Sequence, residues 1–213
     1  MRFAIVDAVY LKAPWLQVFN PEATRDGTFT TTDGTAKQVP MMHKSGTFPY
    51  ATGDGWQAVE LAYDSDDLTM LVFLPEPGFL ANFEQIFLVS DATAYLSAVQ
   101  VDLTLPKFDI ATAISLGDTL QSLGITAAFS SDADLSGITT QESLDVAAVI
   151  HQANITVDEA GTEAAAATAV IGEATSAPPS DPIVFTVDRP FVFALRDRGT
   201  EAILFIGRVG DPS

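Results

Sequence analysis

The sequence lacks cysteine and is poor in basic residues. The absence of cysteine excludes a disulfide framework and any cysteine-based metal or nucleophile site. Ten Lys and Arg residues stand against 28 Asp and Glu residues, and the resulting formal net charge of −18 disfavours binding to nucleic acid or to an anionic membrane. No apolar run reaches about 18 residues, so no membrane-spanning helix is expected.

Residues suited to catalysis, cofactor binding or metal binding are also scarce. Only two histidines occur, His43 and His151, and the sequence contains no Gly-rich phosphate loop, no Gly-x-Ser-x-Gly elbow and no His-x-x-x-His pair. We therefore expect no enzyme activity, no cofactor and no metal. The N-terminal segment MRFAIVDAVYLKAPW interrupts its apolar alternation with an Asp and has no small-residue cleavage site, so it does not match a signal peptide.

What the sequence does contain is apolar alternation at period two, which is typical of strands. Short helices are expected between 79 and 98, broken near Ser90 and Asp91, and over GDTLQSLGI, with its aspartate as the cap. The predicted strands are a buried strand over 3–11, two strands over 28–42 around Asp33-Gly34, a hairpin over 56–75 turned at 64–67, one strand over 99–112, one over 141–159, and a C-terminal hairpin turned at 197–200. The sum is a β-rich α+β fold.

Three local patterns have ordinary structural interpretations. In SSDADLSG, Asp132 and Asp134 are more typical of a turn than of an acid–base or cation-binding pair. The triplet Asn154-Ile155-Thr156 matches a glycosylation acceptor, but it lies inside a predicted strand, so a chance match is favoured. Met41 and Met42 are expected in the core.

Residues 158–172, DEAGTEAAAATAVIG, carry the strongest functional signal. They are rich in the helix formers Ala and Glu, yet they stand between a predicted strand and the segment EATSAPPSDP, which a helix does not traverse. Composition alone favours a surface helix or a flexible linker. The segment VDEAGTEAAAATAVIG, however, resembles the hinge of the reactive-centre loop of serpins, the family of suicide protease inhibitors.

Further segments resemble serpin motifs and follow the family's order. They are DAVYLKAPW (7–15), VPMMHKSGTF (39–48), LPKFDI (105–110) with LGITAAFSSDADLSGI (123–138), and DRPFVFALRDRGTEAILFIGRVGDP (188–212). Together they span nearly the whole chain. The resemblance implies a serpin-like α+β fold with β-rich mixed and antiparallel sheets, few short helices and an exposed reactive-centre loop over 160–182.

The resemblance also implies a mechanism. In serpins a protease cleaves the loop, and the segment before the cut enters the large sheet as a new strand, which traps the protease. The corresponding hinge residues here are Glu159, Gly161, Thr162, Glu163, Ala164, Ala165, Ala166, Ala167 and Thr168. Strand alternation places the residues at 162, 164, 166 and 168 on one face and those at 163, 165 and 167 on the other. Glu163 carries the only charge among these residues, and it is then on the outer face. An inhibitor needs an uncharged inner face for insertion, so the hinge favours an inhibitor over a hormone carrier or chaperone of the family.

The expected target follows from the cleaved bond. Family spacing from Gly161 places the bond between Thr175 and Ser176, whereas counting back from Phe185 and Pro190 places it near 179–180. We favour the first count because it fixes the inserted length. The loop has no Lys or Arg and no aromatic residue before Phe185, so an elastase-like or subtilisin-like serine protease is favoured. A cysteine protease is the other expected class.

Two further groups of residues match family positions. His151 resembles the histidine of the region where the sheet opens, and Asp7 occupies the position of the family's Asn, so a buried Asp–His pair is expected. Lys107 and Glu159 resemble an ion pair where the loop leaves the sheet, and Trp15 resembles the tryptophan packed there. Loss of one partner of the Lys107–Glu159 ion pair, as in Glu159→Lys, is expected to promote loop–sheet polymerisation.

The chain is about half as long as a serpin, and it resembles the C-terminal half only. We expect one serpin-type domain over 1–213 without the family's N-terminal portion, completed by that missing half or by a second copy. The alternative is a non-inhibitory binding or structural module, or a truncated remnant, whose loop is merely cleaved. The resemblance favours an extracellular or periplasmic location, which the sequence itself leaves open.

Overall fold

The computed structural model describes residues 2–65, 67–86, 93–141, 143–162 and 181–213. Its contacts divide the chain into two compact units, the first formed by residues 1–11 and 110–155 and the second by residues 12–109 and 156–213. The predicted residues of the loop from Glu163 to Thr168, the bond between Thr175 and Ser176, and the helix break at Ser90 and Asp91 lie outside the described residues.

The first unit contains a mixed sheet. Strand β1 (Arg2–Tyr10) pairs in parallel with β9 (Asp145–Val157), from Ala4 opposite Ala148 to Tyr10 opposite Asn154, and β8 (Phe108–Ser115) also pairs with β9. Helix α2 (Gly117–Ser122) and a 3-10 turn over Ala127–Phe129 lie between β8 and β9 in the chain.

The second unit is built on a large, mostly antiparallel sheet with the order β11-β7-β4-β5-β6-β12-β13, to which β3 adds by pairing with β4. The strands of this sheet are β3 (Arg25–Thr30), β4 (Ala36–Gly53), β5 (Trp56–Ala62), β6 (Leu68–Pro75), β7 (Ser97–Pro106), β11 (Ile183–Thr186), β12 (Phe191–Asp197) and β13 (Ile203–Val209). The short strands β2 (Ala13–Pro14) and β10 (Gly161–Thr162) belong instead to the sheet of β9. Helix α1 (Leu80–Ile86) and a 3-10 turn over Pro21–Ala23 complete the second unit.

The core of the second unit lies on β5, β6 and β12, whose residues are almost all buried. Phe83 of α1 packs on the Phe73 ring, with centroids 5.9 Å apart, in a buried apolar cluster that also contains Ala194. The buried Met41 and Met42 confirm the core prediction for these two residues.

Most of the predicted strands and turns are confirmed. The hairpins over 28–42 and 56–75 form with the expected turns, and residues 197–200 turn the C-terminal hairpin. That hairpin contains only β12 and β13, because residues 183–186 form the separate strand β11, which pairs with β7. The Asp134 carboxylate accepts hydrogen bonds from the backbone N–H and hydroxyl of Ser136, which confirms its turn role and lowers its pKa. Asn154 lies within β9, as expected for a chance match to the glycosylation pattern.

Three further expectations are wrong. The segment 99–112 is two strands, because β7 pairs with β4 as far as Pro106, whereas β8 pairs with β9 in the other sheet. Asp118 does not cap α2; it lies in the first turn, where its charge complements the helix dipole. Strand β1 is not buried, since the Val6 side chain is 62% exposed and no described element of its unit covers it.

Candidate functional site at the base of the loop

Five predicted or newly found residues meet where the loop leaves the end of β9, in the sheet that also contains β2 and β10. We call them the loop-base cluster: Trp15, Tyr63, Lys107, Glu159 and Thr162. The cluster belongs to the second unit, where β2, β5, β7 and the end of β9 bring segments distant in sequence into contact. Trp15 and Tyr63 meet through an isolated antiparallel bridge that extends the short strand β2.

The first two residues of the hinge already form a strand. In β10, Gly161 pairs with Pro14, and Thr162 pairs with Ala13 on one side and with Val157 on the other. Thr162 is completely buried. The chain therefore begins the loop as a strand hydrogen-bonded between β2 and the end of β9.

Tyr63 holds the buried end of this strand. Its hydroxyl and the Thr162 hydroxyl share a hydrogen bond of 2.6 Å, so neither buried oxygen lacks a partner. Burial raises the pKa of Tyr63, so the phenol stays neutral at physiological pH. The bond therefore joins two uncharged groups and fixes the position of the hinge on the sheet.

Trp15 packs beneath the residues that precede the hinge. Its ring is 2% exposed and stacks on the Tyr63 ring, with centroids 4.4 Å apart and an interplanar angle of 17°. Its Nε1 donates to the Asp158 carbonyl at 2.9 Å, and its backbone N–H donates to the Ala160 carbonyl at 2.9 Å. Trp15 thus contacts both the Tyr63 ring and the backbone of the turn.

The turn itself depends on Gly161. The Asp158 carboxylate accepts hydrogen bonds from the N–H groups of Ala160 and Gly161, which closes the turn. Gly161 has φ of +149°, and a Cβ there would lie 2.3 Å from the Ala13 carbonyl oxygen and 2.6 Å from the Cα of Pro14. Only glycine satisfies both the dihedral angle and the close backbone approach.

Glu159 connects the turn to two neighbouring segments. Its carboxylate lies 2.8 Å from the Lys107 ammonium and accepts a hydrogen bond of 2.7 Å from the Thr24 hydroxyl. Burial opposes ionisation of this carboxyl group, whose side chain is 13% exposed, but the hydrogen bonds from Lys107 and Thr24 outweigh it. The pKa of Glu159 is therefore lowered, and the group is ionised at neutral pH.

The second predicted group lies in the first unit. Asp7 of β1 and His151 of β9 are directly opposite in the parallel register, with Asp7 Oδ2 2.9 Å from His151 Nδ1. The expectation of a buried pair is wrong, because the Asp7 side chain is 62% exposed. Residues 4–8 of β1 are exposed on both faces of the strand, so Asp7 is open to solvent, which screens such a pair.

Sequence reasoning missed three members of the hinge environment. Tyr63 follows the strand alternation of its hairpin, Thr24 lies in a polar segment, and Asp158 is only the first residue of the segment 158–172. Each acts through a contact more than 90 residues away in the chain or through a local turn. No spacing pattern marks such long-range partners, so only the fold reveals them.

The sequence profile of the family described as "Serpin (serine protease inhibitor)" matches residues 1–212. The chain belongs to the serpin family. It is 40% identical over 216 residues to an uncharacterized serpin-like protein of Thermococcus kodakarensis, covering 99% of this serpin chain and 50% of that protein. It is 37% identical to human serpin B3, covering 98% of this chain and 55% of that protein.

Solved structures agree with the family assignment. Human thyroxine-binding globulin in complex with thyroxine superposes with a TM-score of 0.86 at 30% identity, covering 98% of this chain and 56% of that chain. Native protease nexin-1 with heparin gives a TM-score of 0.83 at 31% identity, with 98% and 56% coverage. The fold is therefore the serpin fold, and the chain spans about half the length of the serpins it matches.

No described helix has the length and apolarity needed to cross a membrane. Within the same described ranges, no three His, Asp or Glu side chains are grouped closely enough to hold a metal ion. The contacts of the loop-base cluster are hydrogen bonds, the stacking of Trp15 on Tyr63, and the ion pair of Lys107 with Glu159.

Proposed function

We propose that this chain carries the loop-bearing half of a protease inhibitor that acts by cleavage of the loop and insertion of the hinge as a strand. The observation that carries the proposal is β10, in which Gly161 and Thr162 lie paired between β2 and the end of β9. A segment that starts as a strand can extend by adding backbone hydrogen bonds, each contributing about 0.5–1.5 kcal/mol net.

The residues beyond β10 supply the second support. If the alternation continues from the buried Thr162, then Ala164, Ala166 and Thr168 face the same side. All are small enough to enter a packed sheet without overpacking. Glu163 falls on the opposite face, where its charge keeps contact with water.

The proposed target is an elastase-like or subtilisin-like serine protease that cuts between Thr175 and Ser176. A cysteine protease with similar preference is a further candidate. The argument rests on the loop's lack of Lys, Arg and aromatic residues before Phe185, which disfavours trypsin-like and chymotrypsin-like pockets.

An SDS gel tests the proposal directly. The chain is incubated with elastase and with subtilisin, alone and mixed with the half of the Thermococcus relative that it does not match. We expect an SDS-stable complex of chain and protease. Ala164→Arg should abolish the complex and leave a cleaved chain, whereas the matched Ala165→Arg, on the opposite face, should retain it. Equal behaviour of the two variants would contradict insertion of this face.

A non-inhibitory binding or structural module is the second candidate. The observation that favours it is that both faces of β1 are exposed, with Ile5 on one face and Val6 and Tyr10 on the other. We propose that the polypeptide equivalent to the other half of the relatives, or a second copy of this chain, covers this strand. If proteases clip the loop without forming a complex in either condition of the gel experiment, this second function replaces the first.

A further inference from the structure

A small cavity of about 250 Å³ opens in the second unit beside the end of β5, between that strand and the middle of β4. Trp15, Leu16, Phe48 and Leu61 form much of its apolar wall. The cavity is below the ~300–1,000 Å³ typical of pockets for drug-sized ligands, so it suits a smaller molecule. We call it the Lys44 pocket.

The charges in and beside the Lys44 pocket are mainly positive. Lys44 and Arg198 line it, and Glu60 is the one carboxylate among its described lining residues. Glu60 is 2% exposed and is already paired with Arg198 and with Arg196 behind it. Three cations thus face one carboxylate, in a chain whose net charge is −18.

Lys44 and Arg198 each have N–H donors that are not used in the contacts they already make. The Lys44 ammonium donates to the carbonyls of Gln17 and Val18 and lies 5.6 Å from the centre of the Phe19 ring, which leaves one of its three N–H donors. Among the described residues, no carboxylate lies within 4.0 Å of it. Arg198 binds Glu60 through Nε and Nη2, so the two donors of its Nη1 remain.

We propose that the Lys44 pocket binds a small organic carboxylate, whose charged end meets Lys44 and Arg198 and whose apolar body packs on the Trp15 side of the cavity. The carboxylate would neutralise the excess charge and accept the remaining donors, while the body would displace water from apolar walls. An inorganic anion satisfies only the first of these demands, and a neutral ring only the second.

Lys44 supplies an independent signature of binding. Loss of hydration on burial lowers the pKa of Lys44 to about 8, because no carboxylate compensates its charge. A carboxylate binds the protonated lysine, so its affinity is full below pH 8 and falls as the pH rises above that value. At pH 9 the affinity should be roughly tenfold lower than at pH 7.

Equilibrium dialysis with radiolabelled benzoate tests the proposal on the full chain. We expect saturable binding at pH 7 that benzyl alcohol and sulfate do not compete for effectively. Lys44→Met keeps most of the side-chain volume and should weaken binding at least tenfold and remove the pH dependence. Lys37→Met is the matched control, because it removes the same charge at the exposed pair with Asp211.

A second variant guards against misfolding of Lys44→Met. Leu16 is 59% exposed on the rim, so Leu16→Glu should leave the fold intact while placing a competing carboxylate at the cavity. It should reduce benzoate binding at least tenfold. The proposal is overturned if millimolar benzoate shows no saturable binding, if benzyl alcohol competes as well as benzoate does, or if Leu16→Glu binds benzoate as the unmodified chain does.

Discussion

Reversal of the charge at Glu159 is the perturbation that most directly probes the loop-base cluster. Glu159→Lys removes the 2.8 Å contact with Lys107 and the 2.7 Å hydrogen bond from Thr24, and it places two ammonium groups together. Hydrogen bonds to charged groups contribute about 1.5–3 kcal/mol each. The lower value applies to the Lys107 bond, because that side chain is 36% exposed and solvent screens it.

The total loss for Glu159→Lys is therefore about 3–4.5 kcal/mol in the free energy of unfolding. For a chain of this size, each kcal/mol lowers the melting temperature by roughly 2–4 °C, so we expect a fall of roughly 6–18 °C. Gel filtration after mild heating should also show loss of monomer, since a freed loop can add to the sheet of another copy. The double variant Lys107→Glu with Glu159→Lys should recover part of the loss.

A matched charge reversal separates this site from a general charge effect. Glu84→Lys breaks the exposed pair between Glu84 and Arg208, and such pairs contribute only about 0–1 kcal/mol. The pH dependence provides a second check. Because the folded pKa of Glu159 is lowered, its contribution is present above the unfolded pKa and is lost as the pH falls through the folded one. The stability difference between the unmodified chain and Glu159→Gln should therefore shrink in acid. Equal melting temperatures for Glu159→Lys and Glu84→Lys would refute the reasoning.

Three further predictions concern named contacts. Tyr63→Phe leaves the buried Thr162 hydroxyl without its partner and should cost about 1–2 kcal/mol in chemical denaturation, more than Tyr50→Phe, whose partner Gln57 is only partly buried; equal costs would be evidence against the bond. Gly161→Ala should destabilise the chain well beyond Gly34→Ala, because both have positive φ but only Gly161 meets backbone atoms; similar melting temperatures would contradict the close approach. Hydrogen bonds from Thr31 and Thr35 lower the pKa of Asp33 to about 2, so NMR titration should find a midpoint near 2 that Thr31→Val raises; an unmoved midpoint would exclude Thr31 as a cause.

The sequence predicts much of the fold because most of its strands have a local sequence pattern that identifies them. Alternation and turn residues such as Asp33-Gly34 and Asp197–Thr200 determine the hairpins without reference to distant parts of the chain. The errors arise where another element decides. Strands β7 and β8 are separate because they pair with β4 and β9, and the exposure of β1 depends on what covers it rather than on its own apolar pattern.

Some residues of the candidate site are likewise predicted from the sequence, and others are found only in the structure. The resemblance to serpins points to Trp15, Lys107 and Glu159, and the structure brings all three together around the hinge. Tyr63 and Thr24 escape prediction because their partners lie 99 and 135 residues away. The solvent exposure of Asp7 and His151 is not predicted for a different reason, since exposure is a property of the assembled sheet. The exposed Asp7 is the clearest case, because its sequence context is that of a buried strand.

The melting temperature before and after cleavage of the loop tests the central claim most directly. Elastase cleavage near Thr175 should raise the melting temperature by about 10 °C or more, because the freed segment adds backbone hydrogen bonds that extend β10. Ala164→Arg should abolish the rise, while Ala165→Arg should keep it. A cleaved chain that melts at the same temperature as the intact one would contradict insertion, and with it the inhibitory mechanism.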